Sequence, residues 1–293
     1  METSPAMTDT PVVAGARAAR AGLAARARRA LGAALHRIRP GAALDSKGYV
    51  IRLEDNLLPG IARTDIEAAF GAGAGLELEG KMRAPWSSSA LAVNSFAPWQ
   101  RDPRSLMLAG ITGFTEALAF EAKCPNGVST IPPHLDVLLE RDEAIFGVES
   151  KCTEYLSPKA SKVAAAYLEL AARRDERAAS RWFAALADVP TFRFLDAYQL
   201  IKHYLGLARS YRGRPLRLVY IYWEPANARA LPMFDEHRAE VKRFGELVAS
   251  DPGCRFEALS YDEHWRELDA LRAKPAWLDR HLVQLRLRYE VEI

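Results

Sequence analysis

The stretch from Pro132 to Cys152 constrains this chain more than any other. It reads Pro132-Pro133-His134-Leu135-Asp136-Val137-Leu138-Leu139-Glu140, then Arg141-Asp142-Glu143-Ala144, then Ile145-Phe146-Gly147-Val148-Glu149-Ser150-Lys151-Cys152. Two largely apolar runs flank a short polar break, which is the pattern of a β-hairpin. Centring the turn on Asp142 and Glu143 pairs Leu139 with Phe146, Val137 with Val148 and Asp136 with Glu149. Directly opposite residues of an antiparallel pair project from the same face. Lys151, two places past Glu149, shares that face. The spacing therefore predicts two carboxylates and an ammonium clustered at one end of a hairpin.

Adjacent carboxylates repel each other, and a hard divalent cation with oxygen ligands relieves that cost. Mg²⁺ commonly takes one or two carboxylates together with substrate phosphate oxygens. A lysine beside such a pair can orient or deprotonate a water, or neutralise charge developing on phosphorus. These are the parts needed for phosphodiester hydrolysis. The bland alternative is a solvated, salt-bridged sheet surface. Val137, Leu138, Leu139, Ile145, Phe146 and Val148 surround the charges, so both strands read as substantially buried. Charges in buried strands usually have a task.

At these residues the chain resembles the PD-(D/E)XK nuclease superfamily, whose fold is restriction-endonuclease-like. Asp136 matches the first acidic position, and Glu149-Ser150-Lys151 matches the E-x-K. Leu135 rather than proline precedes Asp136, with Pro132 and Pro133 close by. The resemblance implies an α/β fold with an αβββαβ core, a central mixed sheet flanked by helices, a helical insertion and a C-terminal α/β extension. It covers roughly residues 77–224, with the insertion at about 157–192. It implies a Mg²⁺- or Mn²⁺-dependent nuclease acting on nucleic acid, with DNA the favoured substrate. Asp136 and Glu149 would hold the metal and Lys151 would position or activate water. The rival reading is a non-catalytic nucleic-acid-binding or scaffold protein that retains the fold.

The same resemblance calls for a third carboxylate from the region ahead of the hairpin. Glu77, Glu116 and Glu121 are the candidates. Glu77 follows a Gly-rich turn and is preferred; Glu121, in the preceding strand, is kept as a further metal ligand. Some nucleases of this superfamily carry a glutamine on the core helix and a polar or aromatic residue four places later. Gln199 with His203 is similar, histidine standing for the usual tyrosine. Gln199, Lys202 and His203 fall at i, i+3 and i+4 and hence on one helix face. Gln199 would hold the attacking water or a phosphate, and Lys202 and His203 would contact nucleic acid. A solvated polar stripe is the competing reading, and for His203 a core histidine. Ser87, Ser88 and Ser89 begin a helix whose N-terminus can bind phosphate, with Ser88 the named contact; ordinary capping competes.

Charge is unevenly placed. Residues 1–40 hold seven arginines against Glu2 and Asp9, which is +5; the chain total of +3 leaves −2 for residues 41–293. The bulk is therefore not a basic, DNA-coating surface. Residues 1–46 read as an Ala/Arg-rich arm, poorly ordered at its start. Leu23, Ala27, Leu31, Ala34, Leu35 and Ile38 share one face of a helical wheel there, and most arginines lie on the other. Such a segment can touch phosphates, a membrane surface or a partner, and its role is left open.

The remainder, 47–293, reads as one domain. Three sparse cysteines without a C-x-x-C pattern argue for a reducing, cytoplasmic setting and against a disulfide framework or zinc site. No apolar run reaches membrane-helix length and no secretory leader is visible. A homodimer is left open.

Along the chain, Tyr49–Leu53 is a short strand or helix entry, and Thr64–Phe70 a capped helical turn. Leu76–Gly80 is a short segment, and Ser87–Phe96 a serine-capped helix ended before Pro98. Leu118–Lys123 precedes the hairpin as a strand. Helices are expected over Lys162–Ala172, Ala178–Leu186 and Leu195–Ala208. Leu216–Trp223 is a buried central strand. The tail from Met233 reads helix, strand (Arg255–Leu259), helix and a final helix (Trp277–Tyr289), with His264, Trp265 and Trp277 as packing residues.

Overall fold

The computed structural model describes residues 11–71, 77–116, 118–158, 161–172 and 180–293, with 11–21 as backbone only. The start of the arm, Leu76 and residues 178–179 of the expected second insertion helix lie outside the described residues. The helices are α1 (Pro11–Ile38), α2 (Glu67–Gly71), α3 (Ser88–Phe96), α4 (Ala165–Ala172), α5 (Arg181–Ala184), α6 (Ala197–Ser210), α7 (Pro232–Val248), α8 (Tyr261–Asp269) and α9 (Leu278–Tyr289). The strands are β1 (Ala119–Lys123), β2 (His134–Arg141), β3 (Ala144–Lys151), β4 (Leu216–Tyr222) and β5 (Cys254–Ser260). They form one five-stranded sheet in the order β1-β2-β3-β4-β5. β1, β2 and β3 pair antiparallel; β3, β4 and β5 pair parallel. The protein is thus an α/β fold built on a mixed sheet flanked by helices.

The hairpin forms in the register that its apolar runs dictate. Val137 faces Val148 and Leu139 faces Phe146, which puts Asp136 across from Glu149. Arg141 pairs with Ala144, leaving Asp142 and Glu143 as the loop. Asp142 takes the left-handed conformation there, with φ 49°, as two-residue hairpin loops demand and aspartate tolerates. β4 is buried along nearly its whole length, as expected of a parallel strand covered on both faces.

Two helices cover opposite faces of β3. Ser150 donates to the Ser88 carbonyl of α3, whereas Glu149 lies against His203 of α6. Successive strand residues alternate between faces, so α3 and α6 sandwich the sheet. Ser87 caps α3, its hydroxyl accepting from Ala90 N, and the helix gives way at Ala97–Pro98 to a 3-10 segment. Asp196 caps α6 by accepting from Gln199 N. α6 sits close enough to the sheet that two glycines are obligatory. A Cβ at Gly147 would fall 2.9 Å from a Leu207 methyl, and one at Gly206 would fall 2.3 Å from the Cys124 carbonyl oxygen.

Several local expectations change. The Tyr49–Leu53 segment is neither strand nor helix: Val50 makes a single bridge to Leu44 and a 3-10 turn follows at Leu53–Asn56. The second insertion helix is short, because Pro190 lies in the segment after α5, which continues as a 3-10 stretch over Ala185–Thr191. That insertion is no loose appendage. Trp182 is fully buried, stacked on Tyr204 of α6 and edge-on to Phe244 of α7.

The segment expected as an arm belongs to the body from Leu23 onward. Leu23, Ala24, Ala27, Leu31 and Ala34 are buried in the main core, and Leu35 packs with Ala42 and Val50. The fastening is Arg288 of α9, fully buried. It donates to the Leu31 carbonyl at 3.1 Å, the Asn56 amide oxygen at 2.9 Å and the Pro85 carbonyl at 2.7 Å.

His264 of α8 is fully buried and stacks on Phe96, 5.2 Å between ring centroids. Neither ring nitrogen has a hydrogen-bond partner among the described residues. Burial lowers its pKa to about 3. The unfolded chain takes up this proton near pH 6.5 and the folded chain does not, so stability is lost as pH falls through that value. His264→Phe should therefore stabilise the protein, and more so in acid. The gain should be larger at pH 5 than at pH 8 by about 2 kcal/mol, read by denaturant titration. An equal gain at both pH values would mean that the ring ionises in place.

Candidate active site

Beyond the Val137–Val148 pair, the ends of β2 and β3 carry the charged residues. Phe120 pairs with Val137 and Ala122 with Leu135, so Glu121 stands across from Asp136 just as Asp136 stands across from Glu149. Three carboxylates thus occupy one row across three strands. Glu121 breaks the ladder to do so. Its φ is 51°, a left-handed conformation uncommon for a residue with a Cβ and typical of functional sites. Glu77 joins the group from the chain ahead of α3. It accepts from the Ser89 hydroxyl at 3.1 Å, and its charge is felt at Glu121.

The electrostatics follow from burial. Asp136 is pushed well above its ordinary pKa, first by desolvation and then by the Glu149 charge; Lys151 and the Ser150 N–H offset part of this. That N–H donates to Asp136 Oδ2 at 2.7 Å. Glu121 is raised too, mainly by burial, with Glu77 and Glu149 adding repulsion and His134 opposing it. His134 Nδ1 lies 3.2 Å from Glu121 Oε2. Glu149 goes the other way. Burial alone would raise it, but the adjoining Lys151 and His203 outweigh that and hold it low.

Lys151 donates to Glu149 Oε1 and, at 3.0 Å, to Gln199 Oε1. Burial would lower its pKa, yet Glu149, Glu154 and Asp136 together hold it above the usual lysine range. Its ammonium is therefore firmly charged, which suits neutralising anionic oxygen better than taking a proton from water.

The residues expected on α6 divide. Gln199 meets Lys151, as its helix position allows. Lys202 is half-buried, with its ammonium 4.9 Å from the centre of the Tyr198 ring. His203 is 1% exposed, which rules out the nucleic-acid contact expected of it. Its Nε2 lies 2.8 Å from Glu149 Oε2, an ion-pair distance without aligned hydrogen-bond geometry. It backs the carboxylate rather than facing a ligand, because the packing face of α6 is wide enough to include it.

Ser88 is half-buried and its carbonyl receives the Ser150 hydroxyl at 3.3 Å. Glu116 is exposed ahead of β1. Two neighbours had gone unnoticed. His134 had a signal, since it alternates with Asp136 along β2. Tyr261, whose hydroxyl lies 2.7 Å from Ser150 Oγ, had none, because 111 residues separate the pair.

The donor set, four carboxylates beside one ammonium, is all hard oxygen and suits Mg²⁺ or Mn²⁺. Two of the carboxylates are raised by burial and mutual repulsion, which a divalent cation would relieve. Among the described residues no three such groups already converge as a finished metal cage. Lys151 and His203 occupy the two oxygens of Glu149 instead. The residues therefore fit the ion by chemistry, with Asp136, Glu149 and Glu121 as the ligands nearest to hand.

Among the described residues no helix is long and apolar enough to cross a membrane. No curated protein and no solved structure matches the chain. A family described as restriction endonuclease associating with ARP matches residues 24–290, nearly the whole length and including every residue of the site. The chain belongs to this family of restriction endonucleases, within the restriction-endonuclease-like superfamily.

Proposed function

We propose that the protein is a metal-dependent nuclease that hydrolyses phosphodiester bonds in DNA. One observation carries this reading: Glu121, Asp136 and Glu149 share a row across β1, β2 and β3, with the Lys151 ammonium bound to the last of them. The order α3, β1, β2, β3, α6, β4 also suits the αβββαβ core of the superfamily, with α4 and α5 as the insertion and β5 with its helices as the extension. Asp136 and Glu149 would hold Mg²⁺ or Mn²⁺, with Glu121 beside them and Glu77 behind Glu121. The bound ion would supply Lewis-acid polarisation of a phosphoryl oxygen and a more acidic water.

The chain's own residues do the rest. Lys151 keeps its proton and faces the charge that gathers on the non-bridging oxygens during in-line attack. Gln199 fixes the ammonium from the α6 side, and His203 keeps Glu149 in place from behind. Water attacks phosphorus, the P–O bond to the leaving oxygen breaks, and that oxygen takes a proton. DNA is preferred because the family is one of restriction endonucleases, and the family description extends the proposal to association with ARP.

Purified protein should cut plasmid or oligonucleotide DNA with Mg²⁺ or Mn²⁺ and stop on adding EDTA. Asp136→Asn should be inactive with either ion. Binding of DNA without cleavage under every metal condition would instead favour a non-catalytic scaffold.

A further inference from the structure

The outward face of α1 has no part in this chemistry, yet its charge is wholly one-sided. Between Pro11 and Ile38 the helix holds six arginines and no acidic residue. Its apolar face is already consumed: Leu23, Ala24, Ala27, Leu31 and Ala34 lie in the main core. Basic amphipathic helices bind membranes by lowering their apolar face into the lipid interface, and among its described side chains this one has no such face to offer. Charge alone remains.

Arg26, Arg29 and Arg37 are exposed, and no described acidic side chain pairs with any of them. At 3.6 residues per turn they fall within about 80° of one another and span about 16 Å of helix axis. Among the described residues Gly22 and Ala33 share their stripe; exposed Val283 and Leu287 of α9 line a groove with Arg37 at one end, so the aliphatic anchor that a protein interface uses is confined to that end. A duplex, by contrast, presents one phosphate charge per roughly 1.7 Å of its axis.

The helix also leads to the site. Arg28, about 100° around the helix from Arg29 and at the edge of the buried face, lies 5.7 Å from the centre of the Trp86 ring. Trp86 directly precedes the Ser87 cap of α3, the helix whose Ser89 hydroxyl donates to Glu77 beside the carboxylate row, although its Ser88–Ser150 contact lies on the sheet face opposite Glu149 and Lys151. α1 also packs on the turn at Glu154–Leu156, just past Lys151.

We propose that Arg26, Arg29 and Arg37 form a rail for the phosphate backbone of duplex DNA, holding it as it runs to the carboxylate cluster. This rests on the nuclease reading for its direction, but the contact itself is independent of cleavage. Each phosphate neutralised releases counterions, so log K falls with log salt by about 0.9 per contact.

The test is fluorescence anisotropy with labelled duplexes of unrelated sequence, in EDTA, across a salt series. The full chain is compared with Arg26→Gln/Arg29→Gln/Arg37→Gln and, as a charge-removal control elsewhere on the surface, with Lys242→Gln. The triple variant should keep its melting temperature, bind every duplex more weakly and show a slope shallower by about 2–3. Lys242→Gln, which removes an exposed charge on α7 away from α1 and from the carboxylate cluster, should keep the parent slope. Parent-like affinity and slope in the triple variant would overturn the rail. Loss of polyglutamate binding with unchanged duplex binding would also overturn it, reassigning the face to an acidic protein. A shallower slope in a protein that cuts nothing with any metal would leave the rail standing and remove the nuclease reading.

Discussion

Lys151→Ala should abolish metal-dependent cleavage of DNA, by at least about 100-fold, and spare binding of the duplex. The magnitude is that of removing one preorganised group aimed at charge that develops in the transition state. It should appear in kcat rather than in affinity, since an interaction realised only at that stage leaves ground-state binding alone. Lys151→Arg should not restore the rate, because a planar guanidinium cannot replace a compact ammonium held between Glu149 and Gln199. Loss of the ammonium also leaves Glu149 and Asp136 without their main cation, so melting curves with Mg²⁺ belong beside the assay. Cleavage persisting in Lys151→Ala would assign the chemistry to another centre or to a contaminant.

Arg288→Met should unfold the protein far more easily, by about 3 kcal/mol or more. The methionine fills much of the volume, but the Pro85 carbonyl and the Asn56 amide oxygen lose their donor, while the Leu31 carbonyl keeps only its place in the α1 ladder. Each buried acceptor left unpaired costs roughly 1–3 kcal/mol. For a domain of this size the melting temperature should fall by roughly 5–10 °C. A change of a degree or less would show that water or a local shift satisfies both the Pro85 carbonyl and the Asn56 amide oxygen.

The hairpin was legible because alternation and turn chemistry are local. Apolar runs on both sides of Asp142-Glu143 fix the register, and the register alone sets Asp136 across from Glu149. β4 and α6 were legible for the same reason. The third carboxylate was legible only as a choice among Glu77, Glu116 and Glu121, because nothing in the residues around Glu121 announces the left-handed backbone that places it in the row. His203 was left between a nucleic-acid contact and a core histidine, because i, i+4 spacing groups residues without saying which side of the helix meets the sheet; burial decides for the core. Nothing in the final helix marks Arg288 as buried. Only the convergence of chain segments more than two hundred residues apart buries it. Tyr261 fails in the same way, through distance along the chain.

The bolt between Arg288 and Leu31 has a bearing on how α1 would meet a charged ligand. A floppy basic tail must surrender its freedom when it engages, and that loss weakens every contact it makes. From Leu23 to Ile38 the freedom has been given up already, at folding. Attraction there is spent on holding the ligand and not on shaping the holder.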